Sequence, residues 1–130
     1  MFASEWVMAD SATVVREFFE LMEARRWDDA EARVAADADI RFTETGERFR
    51  GTGFVAMNRA YPEGWTIDVV EVLAVGNRVA AQVRVALPPD VFWCAGFYTV
   101  DEGQIVYGVE HWVTEGSAAP PDWRQPFTAQ

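Results

Sequence analysis

Gly103-Gln104-Ile105-Val106-Tyr107-Gly108-Val109-Glu110-His111-Trp112-Val113 decides how the chain is read. The run is rich in β-branched and aromatic residues and follows a turn at Asp101-Glu102-Gly103. It therefore reads as a strand folded back on the preceding run, Phe92 to Val100. Side chains alternate along a strand, so Gly108, Glu110 and Trp112 share one face while Tyr107, Val109 and His111 share the other. A carboxylate beside a tryptophan on a half-buried strand either lines a cavity or is paired.

Upstream, the same period of two holds back to Trp65. Trp65 to Val75 reads as one strand, Gly76-Asn77 as a hairpin turn, and Val79 to Leu87 as the next strand, with Val79, Ala81, Val83, Val85 and Leu87 on one face. Pro88-Pro89-Asp90 breaks the pattern before the run that pairs with residues 103–113. Before Trp65 the period is near 3.6. Asp10 and Ser11 suit an N-cap, and Val14, Val15, Phe18, Phe19, Leu21 and Met22 recur at three and four. This helix should end near Arg25-Arg26, where cations suit the carboxyl end of the helix dipole. A shorter helix should run from Asp28-Asp29 to about Ala35, broken by Asp37-Ala38-Asp39. Ile40 to Glu44 reads as a first short strand, Thr45-Gly46-Glu47 as a turn, and residues 52–60 as a third helix that Tyr61-Pro62 ends. The segment 116–130 holds three of the six prolines and reads as irregular, with Trp123 and Phe127 available to dock. Residues 1–9, with Phe2 and Trp6, form a lead-in of no assigned structure. Long antiparallel strands after helices make an α+β domain, helices covering one face of a curved sheet.

The bulk numbers narrow the functions. A chain of 130 residues with 50% hydrophobic content is expected to form one globular domain, 1–130, with its core in 11–114 and the tail in 115–130. The formal charge of −10 argues against nucleic acid or an anionic membrane as partner. All 11 fixed positive charges are arginine. The single cysteine, Cys94, fits a reducing compartment, and no apolar run or signal pattern suggests membrane or export, so a soluble cytoplasmic protein is expected.

Three local patterns together resemble the SnoaL-like polyketide cyclase branch of the nuclear transport factor 2-like superfamily. They are Phe18-Phe19-Glu20 followed by Trp27-Asp28-Asp29-Ala30 and Ala36-Asp37-Ala38-Asp39-Ile40-Arg41-Phe42; Arg50-Gly51 ahead of the third helix; and Asp101-Glu102-Gly103-Gln104-Ile105-Val106 running to Glu110-His111-Trp112. The resemblance spans roughly residues 11 to 114. It implies a cone-shaped barrel, a curved and mostly antiparallel sheet wrapped around three N-terminal helices, with a pocket between sheet and long helix. Phe18, Met22, Phe42, Phe54, Met57, Tyr61 and Trp112 are the candidates to line that pocket against a small apolar or aromatic molecule. The superfamily holds isomerases, dehydratases, epoxide hydrolases, cyclases and members without catalysis, so the fold does not name the reaction. Cofactor-free acid–base chemistry and a non-catalytic binding or assembly module both stay open. A homodimer is expected from strands apolar on both faces, as at Val69-Val70 and Val79-Ala80-Ala81.

Four residues are candidates for catalysis. Glu44 matches by spacing the general-base position of ketosteroid isomerase; buried against Phe42 it would have a raised pKa, and otherwise it is a solvated turn residue. The other parts of that isomerase's site fall on Phe18-Phe19 and Gly96, so its oxyanion hole is absent and ketosteroid isomerisation is not expected. Tyr98 and Glu110 can meet across the hairpin, either as an acid–base couple or as a structural hydrogen bond. His111 is of a residue type suited to proton transfer but lies opposite Glu110 unless a bulge intervenes. No metal-site spacing is present, and neither metal nor cofactor is expected. Cys94 reads as a buried small hydrophobe.

Overall fold

The computed structural model describes residues 10–129; the lead-in with Phe2 and Trp6 lies outside them. Three α-helices are present among these residues: α1 (Ser11–Glu23), α2 (Trp27–Glu31) and α3 (Gly51–Ala60). Six strands are β1 (Val34–Phe42), β2 (Arg48–Arg50), β3 (Thr66–Val75), β4 (Arg78–Leu87), β5 (Asp90–Asp101) and β6 (Gln104–Thr114). They form one curved, unclosed sheet in the order β2-β1-β6-β5-β4-β3. All neighbours are antiparallel except β1 and β6.

α1 forms because its apolar residues share a stripe and its start is capped. The Asp10 carboxylate accepts from the Thr13 N–H at 2.8 Å. Val14, Val15, Phe18, Phe19 and Met22 are buried against the inner face of the sheet. Each such burial contributes roughly 1.5–3 kcal/mol. The helix ends at Glu23 in a Schellman motif, with Arg25 N–H bonded to Met22 O and Arg26 N–H to Leu21 O. Arg25 takes the left-handed position at φ 60°. A non-glycine residue there costs about 1–2 kcal/mol. Its side chain offsets that cost by donating to the Met22 and Glu23 carbonyls and by pairing with Glu63. This is the helix-end role expected of Arg25, while Arg26 pairs instead with Asp29.

The early chain departs from expectation in three places. α2 stops at Glu31 rather than Ala35, and β1 begins at Val34 rather than Ile40. Pairing of Val34 with Ile105, and of Asp39 to Phe42 with Tyr107 to Glu110, overrides the helix propensity of the alanine-rich stretch. Asp37 and Asp39 do not break the strand. The Asp39 carboxylate accepts from Arg41 and Arg48, which hold its pKa below the ordinary value. β2 was not expected at all; it pairs Arg48 to Arg50 with Arg41 to Asp39 and carries the chain into α3. α3 starts at Gly51 because that residue lies against Ala35, where a Cβ would overlap the Ala35 carbonyl.

The hairpins fall where the sequence placed them. Gly76 at φ 59° occupies the first turn position, which a type II′ turn assigns to glycine, so the order Gly-Asn suits this loop. Glu102 and Gly103 both have positive φ, the type I′ pattern. The tail is not wholly irregular: Asp122–Phe127 forms a 3-10 helix. Trp123 and Phe127 are exposed rather than docked. No helix among the described residues is long and apolar enough to cross a membrane.

Candidate functional site

α1, α3 and the inner faces of β3 to β6 enclose a cavity of about 380 Å³. Alternation on β6 turns Glu110 and Trp112 inward, and α1 and α3 face them with Met22, Phe54 and Met57. Most of the wall is therefore apolar and aromatic. Phe42 and Phe54 meet edge to face at 6.2 Å, and Phe42 lies 6.4 Å from Trp112. Among the described residues no arginine or histidine lines the space. No group of three His, Cys, Asp or Glu side chains there is placed to hold a metal ion.

Glu110 is the buried carboxylate of this wall, 1% exposed. The Tyr98 hydroxyl donates to its Oε2 at 2.6 Å and the Trp112 indole donates to its Oε1 at 3.0 Å. The meeting is diagonal in register. Tyr98 lies opposite Gly108, and Gly96 lies opposite Glu110. The Tyr98 ring leans along its own strand over Gly96, and a Cβ on either glycine would strike that ring. Burial pushes the Glu110 carboxyl upward, and the two donated hydrogen bonds work against that by favouring the anion. Burial and the neighbouring Glu110 push the Tyr98 phenol well up, so it stays a donor. Burial likewise pushes the Cys94 thiol up, which keeps it an inert small hydrophobe beside Tyr98. A carboxyl so placed can hold or release a proton nearer neutrality than a solvated one.

The other expected site residues divide. Met22, Phe42, Phe54, Met57, Tyr61 and Trp112 line the cavity. Phe18 does not: it is fully buried in the core, and its neighbour Phe19 faces the space instead. Tyr98 stands behind Glu110 and does not line the cavity either. Glu44 is exposed in the turn after β1, at the cavity rim, which is the solvated alternative and not burial against Phe42. Its strand ends at Phe42, two residues too early to carry it inward. His111 is on the outer face, as alternation requires without a bulge. Its Nδ1 lies 2.8 Å from the Thr43 hydroxyl, and its ring meets Phe97 edge to face at 5.8 Å.

Trp65 was missed as a site residue. It lies just before β3, is 6% exposed and lines the cavity. Asn58 also lines it, with its amide nitrogen bonded to the Phe54 carbonyl at 3.0 Å. The signal for Trp65 was its inward parity with Ile67, but a residue at a strand's first position has no partner in sequence to fix its face.

Comparison with known proteins places the fold. A family model described as "SnoaL-like domain" matches residues 15–108, ending two residues before Glu110. No curated protein matches the chain in sequence. Among solved structures, a protein from Kribbella flavida provisionally assigned as a ketosteroid isomerase superposes with a TM-score of 0.84 at 23% identity, covering 92% of this chain and 88% of the other. An LEH-like epoxide hydrolase of M. tuberculosis gives 0.68 at 19%, covering 79% and 82%. IdmH of Streptomyces antibioticus, provisionally a polyketide cyclase, gives 0.69 at 14%, covering 82% and 93%. At these identities the likeness is one of fold, and different reactions are named on it. The family match over most of the chain, and the helix-lined curved sheet that agrees with it, make this chain a member of the SnoaL-like domain family.

Proposed function

We propose that the chain binds a small, mostly apolar molecule in the cavity and moves a proton on it without a cofactor, in an isomerisation, cyclisation or dehydration. Glu110 is the group that moves the proton. The observation that carries this reading is a carboxyl 1% exposed on the wall of a mostly apolar space of about 380 Å³. Burial raises its pKa, which brings a carboxyl toward the range useful for acid–base work. Relatives of this fold that carry names of isomerase, epoxide hydrolase and cyclase are consistent with such chemistry.

The test needs no knowledge of the natural substrate. The protein is incubated in D2O with a panel of polycyclic ketones, and deuterium uptake next to the carbonyl is followed by mass spectrometry. Wild type should exchange above buffer, and Glu110→Gln should not. Exchange that persists in the variant removes Glu110 from the role.

One observation favours a second reading, a non-catalytic holder of the same kind of molecule. Both Glu110 oxygens already accept a protein hydrogen bond, which is how a structural carboxylate is kept. A wild type that binds ligands yet exchanges no deuterium across the panel selects this reading.

For the outer face of β3 to β6 we infer a second copy of the chain as occupant. Val113 is 60% exposed there and Phe97 48%. On these strands Arg78 and Arg84 balance Asp68 and Glu71, with Arg84 directly opposite Asp68. In a chain of net charge −10, such a face lets two copies meet without like-charge repulsion.

A further inference from the structure

The outer face of the sheet carries its charges in a fixed order. Leu73, Ala80, Phe97, Val109, Arg41 and Arg48 stand in one line across β3, β4, β5, β6, β1 and β2. Residues two further along each strand form the next line on the same face. One line toward the β3–β4 turn, Arg78 on β4 lies level with Asp39 on β1. One line the other way, Glu71 on β3 lies level with His111 on β6.

The two sides of this face differ in charge. β1 and β2 carry Arg41, Arg48 and Arg50 against Asp37 and Asp39. β3 carries Asp68 and Glu71. Arg84 stands opposite Asp68. Among the described residues neither Glu71 nor Arg78 takes an ion pair within the chain.

Two sheets packed face to face with strands aligned are related by a two-fold that runs either across the strands or along them. Across the strands, each strand lies on its own copy and the lines reverse. Arg78 then meets the partner's Arg84, Leu73 meets the partner's Glu71, and the arginines of β1 and β2 meet their own copies. Along the strands, between β5 and β6, the lines keep their order and the two sides exchange. β3 then lies over the partner's β2, and β4 over the partner's β1. Arg78 falls on the partner's Asp39, and Glu71 falls one line, about 7 Å, from the partner's Arg48. Glutamate and arginine are long side chains, which suits the sides of a curved sheet, where two outer faces diverge. The apolar middle is covered either way, so charge decides between the two. Resting on a second copy as occupant of this face, we propose that the copies pair about a two-fold along β5 and β6. Glu71 of each copy then binds Arg48 of the other, and Arg78 of each binds Asp39 of the other.

Charge reversals in the full chain test this, with the dimer dissociation constant read by sedimentation equilibrium. Glu71→Arg and Arg48→Glu should each weaken the dimer about tenfold or more, since each reversal acts at both ends of the two-fold. The double variant should return to within about threefold of wild type. An equimolar mixture of the two single variants decides whether the contact lies between copies. In a mixed dimer the two reversed side chains meet at one end and the two native ones at the other. Native mass spectrometry should therefore show heterodimers where neither variant dimerises alone, which no effect within one chain produces. Reversals that leave the dimer unchanged, or a mixture without heterodimers, overturn the pairing while the second copy stays. A wild type at single-chain mass removes the second copy and the pairing with it. Should Arg48→Glu unfold the short β2, Arg78→Glu decides in its place. Weakening of about tenfold against the partner's Asp39 supports the pairing. An unchanged dimer, or the tighter one that the crosswise two-fold would give against the partner's Arg84, overturns it.

Discussion

Tyr98 reaches Glu110 diagonally across the β5–β6 hairpin, its hydroxyl 2.6 Å from Oε2, over the bare backbone of Gly96. Three facts of sequence make this contact. Gly96 and Tyr98 are two apart, as are Gly108 and Glu110, so all four share the inner face. The glycines clear the path, and the hairpin register sets each glycine opposite one of the two polar residues. A carboxyl otherwise held only by the Trp112 indole is thereby fixed in one orientation.

Tyr98→Phe keeps the ring and deletes the donor. Glu110 Oε2 is then buried without a partner, a loss of about 1–3 kcal/mol. Urea unfolding should show a lowered midpoint at unchanged slope. The lost hydrogen bond favoured the anion, so the Glu110 pKa should rise further. An acid limb in the rate profile of any Glu110-dependent exchange should move to higher pH. An unmoved limb would mean that Tyr98 does not act on the carboxyl's ionisation.

Glu110 also sets a pH dependence of stability. Its folded pKa is raised above the ordinary 4.5, mainly by burial. Between those two values the unfolded chain has released its proton and the folded chain has not. The folded state then binds more protons, so stability falls as pH rises through that window. The contribution is fully present below the unfolded value and is lost once pH passes the folded one. Melting temperatures of wild type minus Glu110→Gln, taken across pH 4 to 8, should decline over the window. A flat difference would count against a buried, upshifted carboxyl.

Gly51→Ala probes the approach of α3 to β1. The added methyl would fall on the Ala35 carbonyl, backbone against backbone, so no side-chain rotation relieves it. Overpacking of this kind costs typically about 1–3 kcal/mol. Gly53→Ala in the same helix is the control, because its Cβ would meet open space. It should stabilise the helix by up to about 1 kcal/mol. Thermal melts in which the two variants behave alike would show that Gly51 is not held close to β1.

How much was legible depended on period and length. β3 to β6 are long, so their spans and turns followed from the sequence, as did the placing of Glu110 and Trp112 on one face of β6 and His111 on the other. Which face was inward did not, and irregularities between Val69 and Glu71 and between Thr99 and Val100 interrupt the alternation. β2 has only Arg48, Phe49 and Arg50, too few residues to show a period. The start of β1 was hidden because Asp37 and Asp39 look like breakers, whereas on this strand they face water and arginines. Phe18 and Phe19 are adjacent on α1, and helical phase alone does not separate the core side from the cavity side. Glu44 stayed open between burial and solvent because residues 43–47 form a turn without alternation, where spacing from Asp39 carries no orientation. Trp65 depended on Arg25 and Trp27, contacts across the fold that no local pattern holds.

The outer face gives a last prediction. Phe97 and Val113 project from β5 and β6 beside His111 and Val109, on the side of the sheet away from the helices. If a second copy covers them, light scattering at micromolar concentration should give twice the chain mass of 14.6 kDa. Phe97→Asp should then leave a monomer. Phe97 is 48% exposed in the single chain, so the substitution removes little from the core and ligand binding in the cavity should persist. Such a charge also faces its own symmetry mate across a two-fold interface, so one substitution is felt twice. A wild type that stays at single-chain mass sinks the second copy as occupant. A Phe97→Asp variant that remains a dimer moves the interface to another face.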